Sequence, residues 1–299
     1  MYLTFFSLNE MPFSLTPNTQ FFCALKPHNE AMQVLLTALK MGEGFIKVTG
    51  EVGTGKTLLC RKLLNSLSED TVVAYLPNPY LNPDELRWAF ATELGLTSDP
   101  ELDQQALTQK IEHKLLQLQG AGQSVILIID EAQCLSWDAL EALRLFTNLE
   151  TEQKKLLQVV LFGQPELDQR LSHERVRQLR QRISFSYQLR PMTKAEVVYY
   201  IEHRLKVAGA TQASLFNNRC ALEIAKASRG IPRLVNLLCH KVLLQAFGQG
   251  EEKLTIKHVN HAIADTEDCT QISHLKWGVI ASCSVMLVIA GLWFWRQVL

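Results

Sequence analysis

The stretch G-E-V-G-T-G-K-T, from Gly50 to Thr57, matches the pattern G-x-x-x-x-G-K-T and decides the fold class. It directly follows residues 44–49, G-F-I-K-V-T, which predict a β-strand, and a helical pattern begins near Thr57. Glycines let the backbone curve so that its N–H groups point at one anion, and the N-terminus of the following helix adds partial positive charge. The stretch therefore predicts a loop that binds nucleotide phosphates. The alternative is a glycine turn without a ligand.

Each part of this loop has a predicted role. Lys56 is expected to neutralise the β- and γ-phosphates, and Thr57 to bind Mg²⁺. The residues predicted to contact the nucleotide are Gly50, Glu51, Val52, Gly53, Thr54, Gly55, Lys56, Thr57 and Leu58. The cofactors expected from this motif are ATP and Mg²⁺.

A second acidic motif follows an uninterrupted apolar run, residues 124–129. Such a run is typical of a parallel strand that is buried on both faces, and ligands bind at the carboxyl end of such strands. Asp130 and Glu131 stand at that end. We expect Asp130 to hold Mg²⁺ through its water shell and Glu131 to polarise the water that attacks the γ-phosphate. The alternative is a core strand followed by an acidic helix start.

The pattern over the first 190 residues alternates strand and helix. Predicted strands are 45–49, 72–76, 124–129, 158–162 and 183–189, and predicted helices are 28–41, 57–67, 83–94, 102–119, 136–149 and 166–181. Strands with helical crossovers predict a five-stranded parallel sheet with helices on both faces. After Pro191 only helices are predicted, near 194–207, 217–228, 233–247 and 255–266, and the first opens with a Thr193 to Glu196 capping box.

Composition indicates a folded, reduced protein. The chain has 299 residues with 30 basic and 30 acidic side chains, so no net charge favours nucleic acid or an anionic surface. Its seven cysteines are scattered without a C-x-x-C pair, which indicates free thiols rather than a disulfide framework.

The N-terminal and C-terminal segments of the chain differ in their sequence pattern. Residues 1–15 lack the features of a signal peptide and are predicted to form an extended segment over a domain surface. Residues 277–295 carry no charge, lie between Lys276 and Arg296, and are long enough, at about 28 Å of helix, to cross a bilayer. Tryptophans at both ends suit membrane interfaces, so a transmembrane helix is predicted here. A buried globular helix is the alternative.

These motifs together resemble those of the AAA+ ATPases, and within them the family of general secretion pathway protein A and the MSHA pilus biogenesis ATPase MshM. The resemblance covers nearly the whole chain. It rests on the P-loop and on strings near the N-terminus (Phe-Phe-x-Leu and Pro-Phe-Ser-Leu-x-Pro), D-E-A-Q from Asp130, F-G-Q-P-E-L from Phe162, L-R-Q-R-I from Leu179 and G-I-P-R-L-V-N from Gly230.

The resemblance implies a division of the chain into an N-terminal segment and helix (1–42), an AAA+ nucleotide-binding α/β domain (43–190), a helical lid domain (191–268) and the transmembrane helix (277–295). It also implies further catalytic residues. Gln164 stands where a polar sensor contacts the γ-phosphate or the attacking water, and Arg233 resembles the sensor arginine of the lid. Arg182 resembles the finger that a neighbouring subunit inserts into the site, with Arg180 as the alternative.

A finger of this kind requires a homo-oligomer with the ATP site between subunits, because an arginine delivered to the transition state can raise the rate by about 10³–10⁵. The resemblance further implies a location at the inner membrane with the ATPase domain in the cytoplasm, and a partner protein of a type IV pilus or type II secretion system. Some relatives continue into a cell-wall-binding module, whereas this sequence ends at Leu299, so we expect no peptidoglycan binding.

Two other functions stay open. One is a DNA-associated AAA+ ATPase of the transposition or initiator kind, which the neutral charge and the predicted membrane helix disfavour; no nucleic acid partner is expected. The other is an ATP-gated scaffold with little turnover, which the intact Lys56, Asp130 and Glu131 disfavour.

Overall fold

The computed structural model describes residues 2–77, 79–97, 103–146, 155–210 and 215–269. Contacts divide the chain into two compact units, one made of Pro17–Pro191 and the other of Met1–Thr16 with Met192–Leu299. We call them the sheet unit and the helical unit. The division differs from the one made on the sequence, because residues 1–16 group with the later helices while the rest of the segment 1–42 groups with the sheet.

The strands of the sheet unit are β1 (Phe45–Gly50), β2 (Thr71–Leu76), β3 (Ser124–Ile129), β4 (Gln158–Gly163) and β5 (Ile183–Leu189). The helices of the described residues are α1 (Tyr2–Phe5), α2 (Lys26–Lys40), α3 (Lys56–Leu64), α4 (Pro83–Glu93), α5 (Gln104–Gly120), α6 (Trp137–Phe146), α7 (Pro165–Ser172), α8 (Arg177–Arg182), α9 (Lys194–Val207), α10 (Asn218–Ala227), α11 (Pro232–Gln249) and α12 (Ile256–Ala264). Each predicted strand is present within one residue of its expected bounds.

The five strands form one parallel sheet in the order β2-β3-β4-β1-β5. The predicted five-stranded parallel sheet is therefore confirmed. Since all strands run the same way, the carboxyl ends of β1, β3 and β4, which are neighbours in the sheet, meet at one edge. The P-loop follows β1, the two carboxylates follow β3, and Gln164 follows β4.

Both faces of the sheet are covered, which explains why β3 and β4 are nearly continuous apolar runs. On one face, Leu127 and Leu161 pack with residues of α4, α5, α6, α7 and α8. On the other, Ile128 and Val160 pack with residues of α2 and α3. The helices on both faces agree with the sequence-based expectation.

The helical unit is built in its described residues from α1 and α9 to α12. Its core includes Ile201, Ile224, Val235 and Val259, all almost completely buried. The predicted capping box is present, since the Thr193 hydroxyl accepts from the Glu196 N–H and the Glu196 carboxylate accepts from the Thr193 N–H.

The N-terminal segment forms part of this core. Tyr2 and Phe13 are 3% and 1% exposed, and Phe13 packs edge-on against Phe216 with ring centroids 5.9 Å apart. Arg204 donates through Nε to the carbonyl oxygen of Pro12. The segment begins with the short helix α1, so the expectation of an extended conformation was wrong for its first residues.

The single helix expected over 166–181 is interrupted, because His173 adopts an extended conformation with ψ 144° and its Nδ1 accepts from the Arg175 N–H. The predicted transmembrane helix 277–295 lies outside the described residues. Within the ranges that are described, no helix is both long and apolar enough to span a bilayer.

Candidate functional site

The glycine-rich loop lies between β1 and α3, with Gly50 at the end of the strand and residues 56–58 in the first turn of the helix. A Cβ on Gly50 would lie 2.9 Å from both Leu189 Cβ and Thr54 Oγ1. Gly55 has φ 97°, a left-handed conformation that side chains rarely adopt. Glycine is therefore required at both positions for the loop to keep its concave form.

Lys56 closes this loop from inside. It is 5% exposed, and its Nζ donates to the carbonyl oxygens of Gly50 at 2.8 Å and Glu51 at 3.1 Å. Burial lowers the pKa of Lys56, and the opposing charges of Glu131 and Asp130 act to raise it. An ammonium held in this cradle is suited to phosphate oxygens, because they are stronger acceptors for a cation than the two carbonyls.

Thr57 and Asp130 are the two residues that are expected to bind Mg²⁺. Thr57 lies in the first turn of α3, and Asp130, which is 2% exposed, directly follows β3. Burial raises the pKa of Asp130, while the Thr57 hydroxyl and the Glu131 N–H, at 3.0 Å, act in the opposite direction. A hydroxyl and a carboxylate are hard oxygen ligands of the kind that Mg²⁺ binds beside a nucleotide. The residues present thus fit a magnesium-nucleotide complex.

Glu131 is held in an unusual conformation beside this pair. Its φ of 53° and ψ of 39° are left-handed, and such strain in a non-glycine residue is typical of functional sites. Its Oε2 accepts from Gln133 Nε2 at 2.6 Å and from Gln164 Nε2 at 3.0 Å. Burial acts to raise the pKa of Glu131, but these two hydrogen bonds and the charge of Lys56 hold it below its ordinary value. The carboxylate is therefore kept ionised.

Two residues of the site were not predicted from the sequence. Gln133, besides contacting Glu131, accepts at Oε1 from the Gln164 N–H at 3.0 Å. His28, in the first turn of α2, is buried and donates from Nε2 to the Thr54 carbonyl at 3.1 Å. The D-E-A-Q string was a signal for Gln133, whereas no local spacing pointed from His28 to the loop 26 residues later.

A polar cluster links α7 to β1. Asp168 pairs with Lys47 through Oδ1 and accepts from the Thr49 hydroxyl at 2.9 Å through Oδ2. Since β1 leads into the P-loop and Gln164 immediately precedes α7, this cluster fixes the two elements that carry the loop and the sensor candidate.

The predicted arginines belong to other elements of the fold. Arg182, at the end of α8, is half-buried and donates to the Arg144 carbonyl at 3.2 Å. Arg180 is exposed and donates to the Ser172 carbonyl at 3.1 Å. Arg233 is the exposed second residue of α11 in the helical unit. Of the predicted catalytic residues, the structure therefore brings together Lys56, Glu131 and Gln164.

The parallel sheet and the glycine-rich loop that follows β1 define the class of this protein as a P-loop nucleotide-binding protein. Residues 39–171 match the family described as AAA domain, so the chain carries an AAA-type P-loop α/β domain. Over 297 residues it is also 40% identical to general secretion pathway protein A of Aeromonas hydrophila, a match that covers 99% of this chain. The resemblance stated from the sequence motifs is thus confirmed. The chain spans about half of that relative, 54% of its length.

Solved structures share the fold at low identity. Cdc6p from Pyrobaculum aerophilum has a TM-score of 0.63 at 18% identity, covering 84% of this chain and 71% of that one. The ORC2 protein of Aeropyrum pernix has a TM-score of 0.61 at 16% identity, covering 84% and 72%. A Walker-type ATPase of Pyrococcus abyssi has a TM-score of 0.58 at 16% identity, covering 92% and 80%. These likenesses concern the fold alone.

Proposed function

We propose that this protein is an ATPase that hydrolyses ATP bound with Mg²⁺. The observation that carries the proposal is the convergence of Lys56, Asp130, Glu131 and Gln164 at one edge of the sheet. The loop from Gly50 to Leu58 binds the phosphates, with Lys56 neutralising their charge.

The remaining roles follow from the chemistry of each side chain. Thr57 and Asp130 hold Mg²⁺, which supplies charge stabilisation to the phosphoryl group when bound. The ionised carboxylate of Glu131 accepts a proton from the attacking water, and the amide of Gln164 orients that water or the γ-phosphate.

Two substitutions test this proposal. Lys56→Ala removes the cation in the cradle and is expected to weaken binding of a fluorescent ATP analogue at least tenfold. Glu131→Gln keeps the size of the side chain but removes the proton acceptor, so it is expected to bind ATP normally and to lose about 10²–10⁴ in kcat. Glu69→Gln, on an exposed glutamate, is the matched control. A Lys56→Ala protein with unchanged affinity would refute the proposal.

We also propose that the helical unit acts as a lid and that the active form is a homo-oligomer. Arg233 then reports the nucleotide state, and Arg182 or Arg180 reaches the site of a neighbouring subunit. The motivating observation is the cluster of arginines that ends directly before β5. Arg182→Ala is expected to slow ATP hydrolysis by at least tenfold without changing ATP binding, whereas Arg177→Ala, an exposed residue of the same helix, should leave both unchanged. Equal rates for the two variants exclude Arg182 as the finger.

The similarity to general secretion pathway protein A motivates a further proposal. The protein uses ATP to assemble a type II secretion or type IV pilus system at the inner membrane, anchored by residues 277–295 and joined to a membrane partner of that system. Co-purification from detergent extracts in the presence of ATP tests this, with a variant lacking residues 277–295 as the control. Recovery of the full chain in the soluble fraction would exclude the anchor.

A function on DNA is less well supported, since the chain carries equal numbers of basic and acidic residues. Salt-sensitive retardation of duplex DNA in a gel would favour it.

A further inference from the structure

We propose that Gln133 is a positioning residue for ATP hydrolysis, which sets the orientation of the Glu131 carboxylate and ties it to Gln164. The inference rests on the proposed ATPase function and deepens it. Gln133 acts through the other two residues rather than on the nucleotide itself.

Three hydrogen bonds join these residues in a closed ring. Gln133 Nε2 donates to Glu131 Oε2 at 2.6 Å, and Gln164 Nε2 donates to the same oxygen at 3.0 Å. The ring closes where the Gln164 N–H donates to Gln133 Oε1 at 3.0 Å. Gln133 thus connects the end of β3 with the end of β4 at the point where the water must be activated.

The chemistry of the amide fixes its direction in this ring. An amide nitrogen only donates and an amide oxygen only accepts. Turning the Gln133 amide over would place its oxygen against the carboxylate of Glu131 and its NH₂ group against the Gln164 N–H, and both contacts are repulsive. The side chain of Gln133 is therefore specified by both of its partners.

The ring has a direct consequence for the carboxylate. Both amides engage Oε2, so rotation of the carboxylate is restrained and Oε1 is the oxygen that neither amide occupies. A base presented in one orientation loses less entropy in the transition state than a freely rotating one. Gln133 thereby determines which oxygen of Glu131 is offered to the water.

Gln133 is itself held in place by its surroundings. Arg170 donates from Nη1 to the Gln133 carbonyl at 2.5 Å, and the Arg170 guanidinium lies 4.7 Å from the centre of the Trp137 ring. On the other side, a Cβ on Gly163 would lie 3.3 Å from Gln133 Oε1, so the absence of a side chain there leaves room for the amide. Support of this kind is what a precisely placed catalytic group needs.

The test compares Gln133→Met, which has similar size but no amide, with Gln133→Glu, which keeps an acceptor for the Gln164 N–H but loses the donor to Glu131. The exposed Gln169→Met is the matched control. We expect both Gln133 variants to lower kcat about 10- to 100-fold, as supporting hydrogen bonds around catalytic groups do. For Gln133→Met, the KM for ATP and the affinity for a fluorescent ATP analogue should remain as in the control, because none of the three hydrogen bonds of the ring involves the phosphate loop. Gln133→Glu also places a second carboxylate beside Glu131, so only its kcat is compared.

A cycle with Gln164→Met tests whether the residues act as a unit. If they do, the double variant loses no more activity than the more damaging single variant. Multiplicative losses, or a Gln133→Met enzyme with the kcat of the control, would overturn the inference while leaving the ATPase proposal intact. Should Gln133→Met not fold, Gln133→Glu decides alone. A wild-type protein that does not hydrolyse ATP at all removes the ATPase proposal, and the inference with it.

Discussion

Replacing Gly230 by alanine is expected to destabilise the helical unit by at least about 3 kcal/mol. Gly230 lies in the turn before α11 and has φ 75°. A Cβ there would lie 1.9 Å from the carbonyl oxygen of Met192, which is a backbone atom that cannot rotate away. The two residues are also joined by a hydrogen bond from the Met192 N–H to the Gly230 carbonyl at 2.9 Å.

The magnitude follows from three costs. A left-handed conformation costs an alanine about 1–2 kcal/mol. Relieving the clash requires the backbone at Met192 to move by about 1 Å, which breaks the hydrogen bond and costs about 1 kcal/mol more. The displaced backbone also loosens the packing of the neighbouring helices, for which overpacked sites give about 1–3 kcal/mol.

Gly250 provides the matched control. It has φ 69° at the end of α11, and a Cβ there would meet no atom within 4 Å. Gly250→Ala should therefore cost only the backbone strain, about 1–2 kcal/mol. The assay is native-state hydrogen exchange read by mass spectrometry, since peptides from α9 and α11 report the opening free energy of this unit separately from the sheet unit. Equal effects of the two alanines would refute the steric argument.

Three further substitutions test other contacts of the structure. His28→Ala removes one hydrogen bond to the P-loop and should weaken binding of a fluorescent ATP analogue about 5- to 10-fold. His28→Gln should restore most of the affinity. Unchanged affinity in His28→Ala would contradict the role of His28 in supporting the P-loop. Asp168→Asn leaves the Lys47 ammonium, whose side chain is 13% exposed, without its carboxylate. The free energy of unfolding in urea should therefore fall by about 1–2 kcal/mol. The control is Asp84→Asn, which breaks the exposed Asp84–Arg87 pair and should cost less than about 0.5 kcal/mol. Burial lowers the pKa of His240 below its ordinary 6.5, so the folded state binds fewer protons than the unfolded state, and the stability of the helical unit should fall as the pH drops below about 6.5. His240→Gln should reduce this pH dependence, and an unchanged slope would contradict the assignment.

Most of the sheet could be predicted from the sequence, for a physical reason. A strand buried on both faces must be apolar along its whole length, so runs such as Val125 to Ile129 are recognisable without any partner. The order of the strands in the sheet is different, because it depends on crossovers that leave no local pattern. The break at His173 was also missed, since neither glycine nor proline marks it.

In the candidate site, too, some residues could be predicted from the sequence and others could not. The P-loop and the carboxylates after β3 were recognisable because the chemistry demands fixed residue types at fixed spacing. Gln133 and His28 act through side chains that reach across the fold, and their partners are set by tertiary structure. The left-handed conformation of Glu131, which turns its carboxylate towards the two amides, has no signature in composition either.

The helical unit is built from two distant parts of the chain, so it cannot be completed during synthesis until the second part has been made. Phe13 must remain without its partners until α9 to α12 have been made, whereas the sheet unit is continuous in sequence and can fold as soon as Pro191 has left the ribosome. At translation rates of about 5–20 residues per second, the wait lasts roughly 12 to 50 seconds. During that time the aromatic N-terminal segment is an apolar peptide without its native partners, and such surface is prone to aggregation.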